Sequence, residues 1–361
     1  MTRLASGKSQ VFLFLRGSQA KSWWFMALSE FSFYGVGVRA ESLEEGFQRA
    51  VEHDFSYFLA PSAGSPFRLS FAKSRPDYDS LPELTCSFAT PRNICFSNGH
   101  LTYIDYFGQA LNIYDRKANQ SRIMSDDVDL AHEIAYLTIL SRVSEALERK
   151  RLHRIHGLGI EAGGKGTVIL LPSGGGKSTM AISLLRNNNQ FRLISEDSPL
   201  LRPDGCLLPF PLRIGVHPQS LPPDIDPRFT RLDRRIEFSP KINIDVLFFG
   251  DQISRQPVPA AYLLLGARST GRRAYIEPVS KRTALRHAFA NSIVGIGLYQ
   301  GLEFIFQKSF GESMQHLGLL FSRAYNNLIL LKHTRVYRFV IGRDIDKNYE
   351  CLSEFLLRQP C

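Results

Sequence analysis

Short apolar runs separated by Gly, Pro and Asn dominate the first part of the chain, and they predict β-strands. These runs lie at residues 10–37, 55–60, 67–71, 94–96 and 101–104. Asn98 and Gly99 stand between the last two runs and predict a hairpin turn with both residues at its centre, since both tolerate positive φ. We therefore expect an antiparallel meander in this region.

Two stretches of the same region have apolar residues three and four positions apart, which is the spacing of one helix face. The first predicts a helix from Ser42 to residue 54, with Ser42 and Glu45 spaced as a capping box. The second predicts a helix with Ser125 as its N-cap and the next two aspartates in its positive first turn. Its apolar positions are Val128, Leu130, Ile134, Leu137, Leu140 and Val143.

From residue 153 onwards strand-like and helix-like stretches alternate, which predicts an α/β domain. Strands are expected at 167–171, 191–195, 242–249, 261–265, 274–276 and 336–341. Helices are expected at 180–185, 280–298 and 313–328, and a closing helix is expected to end near residue 357. Residues 219–240 are rich in Pro, Arg and Asp and predict a long functional loop. We expect two domains, an N-terminal α+β accessory or recognition domain at 1–152 and the α/β domain at 153–361.

The composition fits two packed domains and excludes a disordered chain, because 44% of the 361 residues are apolar and 22% are charged. A net charge of +10 suits an anionic partner such as a nucleotide or an acidic peptide. The basic residues are scattered along the chain rather than gathered into a tract, so no nucleic acid partner is expected.

Five cysteines at wide spacings, without a CxxC pair, predict free thiols in a reducing compartment. The apolar piece at 11–15 is too short for a signal peptide, and no apolar run reaches the roughly 18 residues that a bilayer span needs. A cytoplasmic protein without a membrane partner is therefore expected. The histidines lack the HxxxH and HExxH spacings, so no zinc site is predicted.

A glycine-rich turn, PSGGGKST in one-letter code, follows the apolar run at 167–171. Its glycines leave backbone N–H groups free to converge on an anion, and the next helix adds the positive end of its dipole. Lys177 would contact the β- and γ-phosphates of a nucleotide, and the Ser178 hydroxyl would ligate magnesium. Leu171 stands where the P-loop pattern usually has its first glycine. The predicted nucleotide-binding residues are Ser173, Gly174, Gly175, Gly176, Lys177, Ser178 and Thr179.

Two adjacent carboxylates, Glu196 and Asp197, end the apolar run at 191–195, and His156-Gly157 lies upstream of the turn. This order of motifs resembles the HPr kinase/phosphorylase family, in which an HG pair opens the strand before the P-loop and a later strand ends in Asp-Asp. Glu196 replaces the first of these aspartates. The family's later Arg-Gly signature is not found, so the resemblance does not extend to HPr as the substrate or to phosphorylase activity.

The resemblance implies an α/β fold with a P-loop kinase core of the HPr kinase/phosphoenolpyruvate carboxykinase-like type, which follows the N-terminal α+β domain. It implies ATP and Mg²⁺ as cofactors. It also implies three catalytic residues, with Asp197 as the base for a hydroxyl acceptor, Lys177 on the phosphates and His156 at an active-site position. Ser178 and Glu196 would hold the metal.

The expected function is an ATP- and Mg²⁺-dependent kinase acting on a hydroxyl, foremost serine of a peptide or protein, with the maturation of a peptide product as one context. A small-molecule acceptor such as a free amino acid stays open, as do a non-catalytic nucleotide-binding regulator and a homo-oligomer. Further candidates for phosphate or acceptor binding, each with a surface arginine as the alternative, are Arg213, Arg228, Arg231, Arg234 and Arg235.

Overall fold

The protein is described here from a computed structural model, which covers residues 27–62, 64, 66–171, 175–233, 239–285 and 324–358. The chain forms two compact units. The first contains the described residues up to 143 with 233 and 239, and the second contains those of 144–232 and from 240 onwards. Each unit combines helices with a β-sheet, so the fold is mixed α/β, as the alternating patterns predict.

An eight-stranded sheet forms the first unit. Its strands are β1 (Ala27–Phe33), β2 (Val36–Ser42), β3 (Phe67–Lys73), β4 (Cys86–Ala89), β5 (Ile94–Asn98), β6 (Leu101–Asp105), β7 (Ala110–Asp115) and β8 (Gln120–Ser125). The order is β1-β2-β3-β8-β7-β6-β5-β4, with parallel pairing only on the two sides of β3. Strands β4 to β8 form the expected antiparallel meander.

Two helices accompany this sheet, α1 (Glu45–Asp54) and α2 (Val128–Arg149), and α2 continues into the second unit. The core is aromatic, with Phe31, Phe33 and Phe55 fully buried and in mutual ring contact. A 3₁₀ turn, Ser56–Phe58, replaces the strand predicted at 55–60. At this turn Phe55 and Phe58 pack their rings against Phe33. Residues 10–26 of the strand-like stretch predicted at 10–37 lie outside the described residues.

Both predicted helices form, but each begins two residues later than predicted and with a different cap. Ser42 ends β2, and its hydroxyl accepts a hydrogen bond from the Glu44 N–H at 3.0 Å, so the predicted capping box is wrong. Ser125 likewise ends β8. The carboxylate of Asp127 caps α2 instead, because it accepts hydrogen bonds from the N–H groups of Asp129 and Leu130.

The predicted hairpin turn is present but lies one residue further along. Asn98 pairs with Leu101, so the central residues are Gly99 and His100. Gly99 has φ +58°, and glycine adopts this left-handed conformation without steric cost. The prediction of a turn is therefore confirmed, and the assignment of Asn98 to its centre is wrong.

The remaining strands are β9 (His153–Arg154), β10 (Leu158–Ala162), β11 (Lys165–Leu170), β12 (Phe191–Ser195), β13 (Leu200–Leu201), β14 (Cys206–Leu208), β15 (Ile214–Val216), β16 (Thr230–Asp233), β17 (Lys241–Ile244), β18 (Val258–Arg268), β19 (Tyr275–Pro278) and β20 (Arg335–Ile341). The main sheet has the order β12-β10-β11-β18-β14-β13-β9, with β20 between β18 and β19. Strands β15, β17 and β16 form a small separate sheet.

Strands β11, β12, β18 and β20 of the main sheet run in the same direction. Strand β11 pairs in parallel with β18, which pairs in parallel with β20, and β10 is antiparallel to both β11 and β12. The carboxyl ends of β12, β11, β18 and β20 therefore meet at one edge of the sheet, the edge where α/β proteins bind ligands.

Two helices of the second unit are described in full, α3 (Lys177–Asn187) and α4 (Ile345–Leu357). Residues 281–285 and 324–333 are also helical, in agreement with the predictions for 280–298 and 313–328, whose other parts lie outside the described residues. The strand predicted at 242–249 stops at Ile244, because the Asp245 carboxylate accepts a hydrogen bond from the Leu247 N–H and starts a 3₁₀ helix. Short 3₁₀ turns and β16 interrupt the loop predicted at 219–240.

The cysteines and the helices agree with the sequence analysis. Cys86, Cys95, Cys206 and Cys351 are free thiols, and Cys361 lies outside the described residues. None of the helices in the described ranges is long and apolar enough to cross a membrane.

Candidate active site

The glycine-rich turn connects a buried strand to a helix. Val168 and Ile169 of β11 are fully buried, and Leu171 is 1% exposed. Residues 172–174, which include the predicted Ser173 and Gly174, lie outside the described residues. Gly176 follows with φ +89° and is the residue before α3, so the chain enters the helix through a conformation that glycine allows. The first N–H groups of α3 therefore face the carboxyl edge of the sheet, a favourable place for an anion.

Lys177, the first residue of α3, folds its side chain back over this turn. Its Nζ lies 3.3 Å from the carbonyl oxygen of Leu171 and 3.3 Å from Nε2 of His156. The same Nζ lies 3.8 Å from Oδ1 of Asp197. Only 10% of the Lys177 side chain is exposed, so the ammonium group is held at one place rather than solvated.

His156, which precedes β10, and Asp197, which follows the neighbouring strand β12, form a pair. Nδ1 of His156 lies 3.2 Å from Oδ1 of Asp197, and the N–H of Gly157 donates a hydrogen bond of 3.0 Å to the Asp197 carbonyl. A Cβ atom at Gly157 would lie 2.9 Å from the carbonyl oxygen of Ile169, so glycine is required here. The structure thus brings the three predicted catalytic residues, His156, Lys177 and Asp197, into one cluster.

The two predicted metal ligands are in direct contact. The hydroxyl of Ser178 donates a hydrogen bond of 2.6 Å to Oε1 of Glu196. Both groups are hard oxygen ligands, the type that Mg²⁺ prefers, and Mg²⁺ is commonly held by one or two protein groups together with phosphates. Within the described residues no cluster of three or more His, Cys, Asp or Glu forms a metal cage.

Adjacent residues Glu196 and Asp197 have opposite electrostatic environments. Burial raises the pKa of Glu196, the charge of Asp197 raises it further, and the Ser178 hydrogen bond opposes this only in part. Burial also acts to raise the pKa of Asp197, but the hydrogen bond and charge of His156 and the charge of Lys177 outweigh it, so this pKa is lowered. Separated pKa values of neighbouring carboxyls are typical of sites where each has its own role.

Arg154 belongs to this site although sequence reasoning did not select it. Its guanidinium donates hydrogen bonds of 2.9 Å to the Ser198 hydroxyl and 2.8 Å to the Ser144 hydroxyl, and its charge lowers the pKa of Asp197. The available signal was its position two residues before His156, because alternate residues of extended chain point to the same side.

The other predicted arginines lie in different settings. Arg213 is buried with 8% exposure, so the surface arginine weighed as its alternative is wrong. Arg228 pairs with Asp226 at 2.6 Å in its own turn, and Arg231 is part of β16. Arg234 and Arg235 lie outside the described residues. Thr179 is exposed on the first turn of α3.

The cluster combines a held cation, an ionised carboxylate paired with histidine, and a second carboxylate on a hydroxyl, all beside a helix N-terminus. Such a set can neutralise phosphate oxygens and position a hydroxyl for attack. No protein-family model matches the chain, and a search of curated proteins finds no match.

Proposed function

We propose that this protein is an ATP- and Mg²⁺-dependent kinase that transfers a phosphoryl group to a hydroxyl, foremost serine of a peptide or protein. The observation that carries the proposal is the contact of Lys177 with both His156 and Asp197 at the start of α3. Phosphoryl transfer needs a cradle, a cation and a group that orients the attacking hydroxyl, and these are the groups assembled here.

Each side chain has a stated task in this proposal. The residues from 173 to 179 cradle the phosphates through backbone N–H groups, and Lys177 neutralises charge on the outer oxygens. Asp197 accepts the proton of the acceptor hydroxyl, while the Nδ1 contact of His156 orients its carboxylate. Ser178 and Glu196 hold Mg²⁺, which supplies positive charge at the transferred phosphoryl group.

The proposal includes the finer fold assignment, a kinase core at 153–361 of the HPr kinase/phosphoenolpyruvate carboxykinase-like type, with 1–152 as an accessory or recognition domain. The sequence β11, glycine-rich turn and α3, with an acidic pair after β12 at the same sheet edge, supports this assignment. The net charge of +10 suits a nucleotide partner.

The experiment is a phosphate-transfer assay with labelled ATP and Mg²⁺ against peptides encoded by neighbouring genes, with free serine as a second acceptor. D197N is expected to bind ATP normally and to lose transfer by about 10²–10⁴-fold, the usual contribution of a general base. K177A is expected to weaken both ATP binding and phosphoryl transfer. D224N is the matched control, because Asp224 pairs with Arg186 at the surface.

The acceptor that becomes labelled decides between a peptide kinase and a small-molecule kinase. Normal ATP binding by the wild type without transfer to any acceptor would contradict the kinase proposal and leave a nucleotide-binding regulator. Loss of transfer in D224N equal to that in D197N would also contradict it, because the assigned role is specific to Asp197.

A further inference from the structure

A cavity opens at the carboxyl edge of the main sheet, and one of its lining residues, Gly266, packs against Leu171 at the start of the glycine-rich turn. Its volume is about 610 Å³, within the range of roughly 300–1,000 Å³ that small-molecule sites occupy. Its polar lining residues are Arg268, Ser269, Thr270, Tyr275, Thr283 and Arg338. None of these belongs to the cluster around Lys177.

The strand register places the main lining groups on one face of the sheet. Arg338 lies opposite Leu265, and Val340 lies opposite both Ala267 and Tyr275. Directly opposed residues point to the same face of a sheet. Tyr275 and Arg338 are thus diagonal neighbours on this face, because Arg338 lies two residues before Val340. Tyr275 is 50% exposed, and the side chain of Arg338 is 45% exposed.

The cavity and the catalytic carboxylate lie on opposite sides of the glycine-rich turn. On one side, Leu170 at the end of β11 pairs with Leu265, the first cavity residue, one strand spacing or about 4.8 Å away. On the other side, Asp197 follows β12, which is separated from β11 by β10. A nucleotide whose outer phosphate lies at Lys177 and Asp197 would therefore extend its nucleoside toward the cavity.

We propose that this cavity binds the base and ribose of the nucleotide, an inference that rests on the proposed function. Flat groups suit a base, because the tyrosine ring and the arginine plane both stack on aromatic faces. Arg338 is paired with Glu277 at 3.2 Å, so its charge is largely compensated and its planar face is what it offers. The hydroxyls of Ser269 and Thr270 at the rim are groups that can bond ribose or base edges.

A comparison of ATP with inorganic tripolyphosphate tests the inference, because tripolyphosphate has the same chain of three phosphates and lacks the nucleoside. Binding of each, with Mg²⁺, is measured by calorimetry on the full chain. Y275A and R338A are each expected to weaken ATP by about tenfold, or about 1.4 kcal/mol, and to leave tripolyphosphate unchanged. R335A is the matched control, since Arg335 is exposed on the same strand, an odd number of residues away and thus on the other face.

The outcomes separate this inference from the proposed function. If tripolyphosphate binds and ATP binds no tighter, the nucleoside assignment is overturned while the phosphate site stands. If Y275A and R338A weaken both ligands equally, the cavity binds anions and the assignment is again overturned. K177A, by contrast, is expected to weaken both ligands, and failure of the wild type to bind either one would overturn the proposed function together with this inference.

Discussion

Gly266 and Leu171 are packed so closely that the size of each side chain limits the size of the other. A Cβ atom at Gly266 would lie 2.1 Å from Cδ2 of Leu171 and 2.8 Å from the carbonyl oxygen of Leu170. The φ of Gly266 lies outside the left-handed region, so space alone excludes a side chain there. Gly266 on β18 thus leaves the space that Leu171 occupies, at the position where the P-loop pattern usually has its first glycine.

The size of the effect follows from these distances. G266A is expected to destabilise the second unit by about 1–3 kcal/mol through overpacking. L171A removes a side chain that is 1% exposed and is expected to cost about 2–5 kcal/mol. The double variant removes the contact at 2.1 Å but keeps the one at 2.8 Å. We therefore expect it to be more stable than the sum of the two changes by about 1–2 kcal/mol.

Scanning calorimetry measures this, because about 1 kcal/mol shifts the Tm of a unit of this size by roughly 2–4 °C. G266A is also expected to weaken ATP binding, since a shifted Leu171 moves the carbonyl oxygen that lies 3.3 Å from Nζ of Lys177. The control is G46A in α1, where a Cβ meets nothing within 4 Å and alanine favours the helix. Additivity of G266A and L171A within about 0.5 kcal/mol would refute the packing argument.

Two further predictions concern the acidic pair. Because the pKa of Glu196 is raised above 4.5, its charged form opposes folding, so E196Q is expected to stabilise the free protein by about 1 kcal/mol at pH 7.5 and to abolish transfer. Calorimetry at pH 4, where the carboxyl is protonated, should give no gain, and an equal gain at both pH values would contradict the cause. R154A is expected to raise the pKa of Asp197 and so move the acidic limb of the kcat/KM profile to higher pH. R186A, a matched surface change, should leave that limb in place, and a limb unmoved in R154A would contradict the electrostatic effect of Arg154 on Asp197.

Much of the element pattern was predictable because it depends on local spacing. The helix after the glycine-rich turn, the strand 191–195 and the hairpin of β5 and β6 follow from periodicity and turn residues. The caps were less predictable, because Ser42 and Ser125 are equally good strand ends and helix caps. Their use depends on which strand pairs with which, and that pairing is not a local property.

The residues of the candidate site were predictable only where they belong to a motif that can be recognised in the sequence. His156, Lys177 and Asp197 could be chosen from their motifs, and they do lie together. For Arg154 the motifs offered only its position two residues before His156, because its contact with Ser198 depends on the pairing of β9 with β13. The role of Gly266 could not be predicted from the sequence, because it lies far from the turn in sequence and contacts Leu171 only through the parallel pairing of β11 and β18.

Leu171 in the turn and Glu196 in the acidic pair, the two departures from the usual motifs, therefore both have structural partners. Leu171 has Gly266 opposite it, and Glu196 reaches the Ser178 hydroxyl at 2.6 Å. An aspartate at 196 would be shorter by one carbon–carbon bond, about 1.5 Å, and would exceed the roughly 2.5–3.0 Å of such a hydrogen bond unless α3 moved. In this protein the length of Glu196 is thus matched to the position of α3, and the bulk of Leu171 is matched to the glycine on β18. The cluster around Lys177 can therefore form without the residues that are usual at positions 171 and 196.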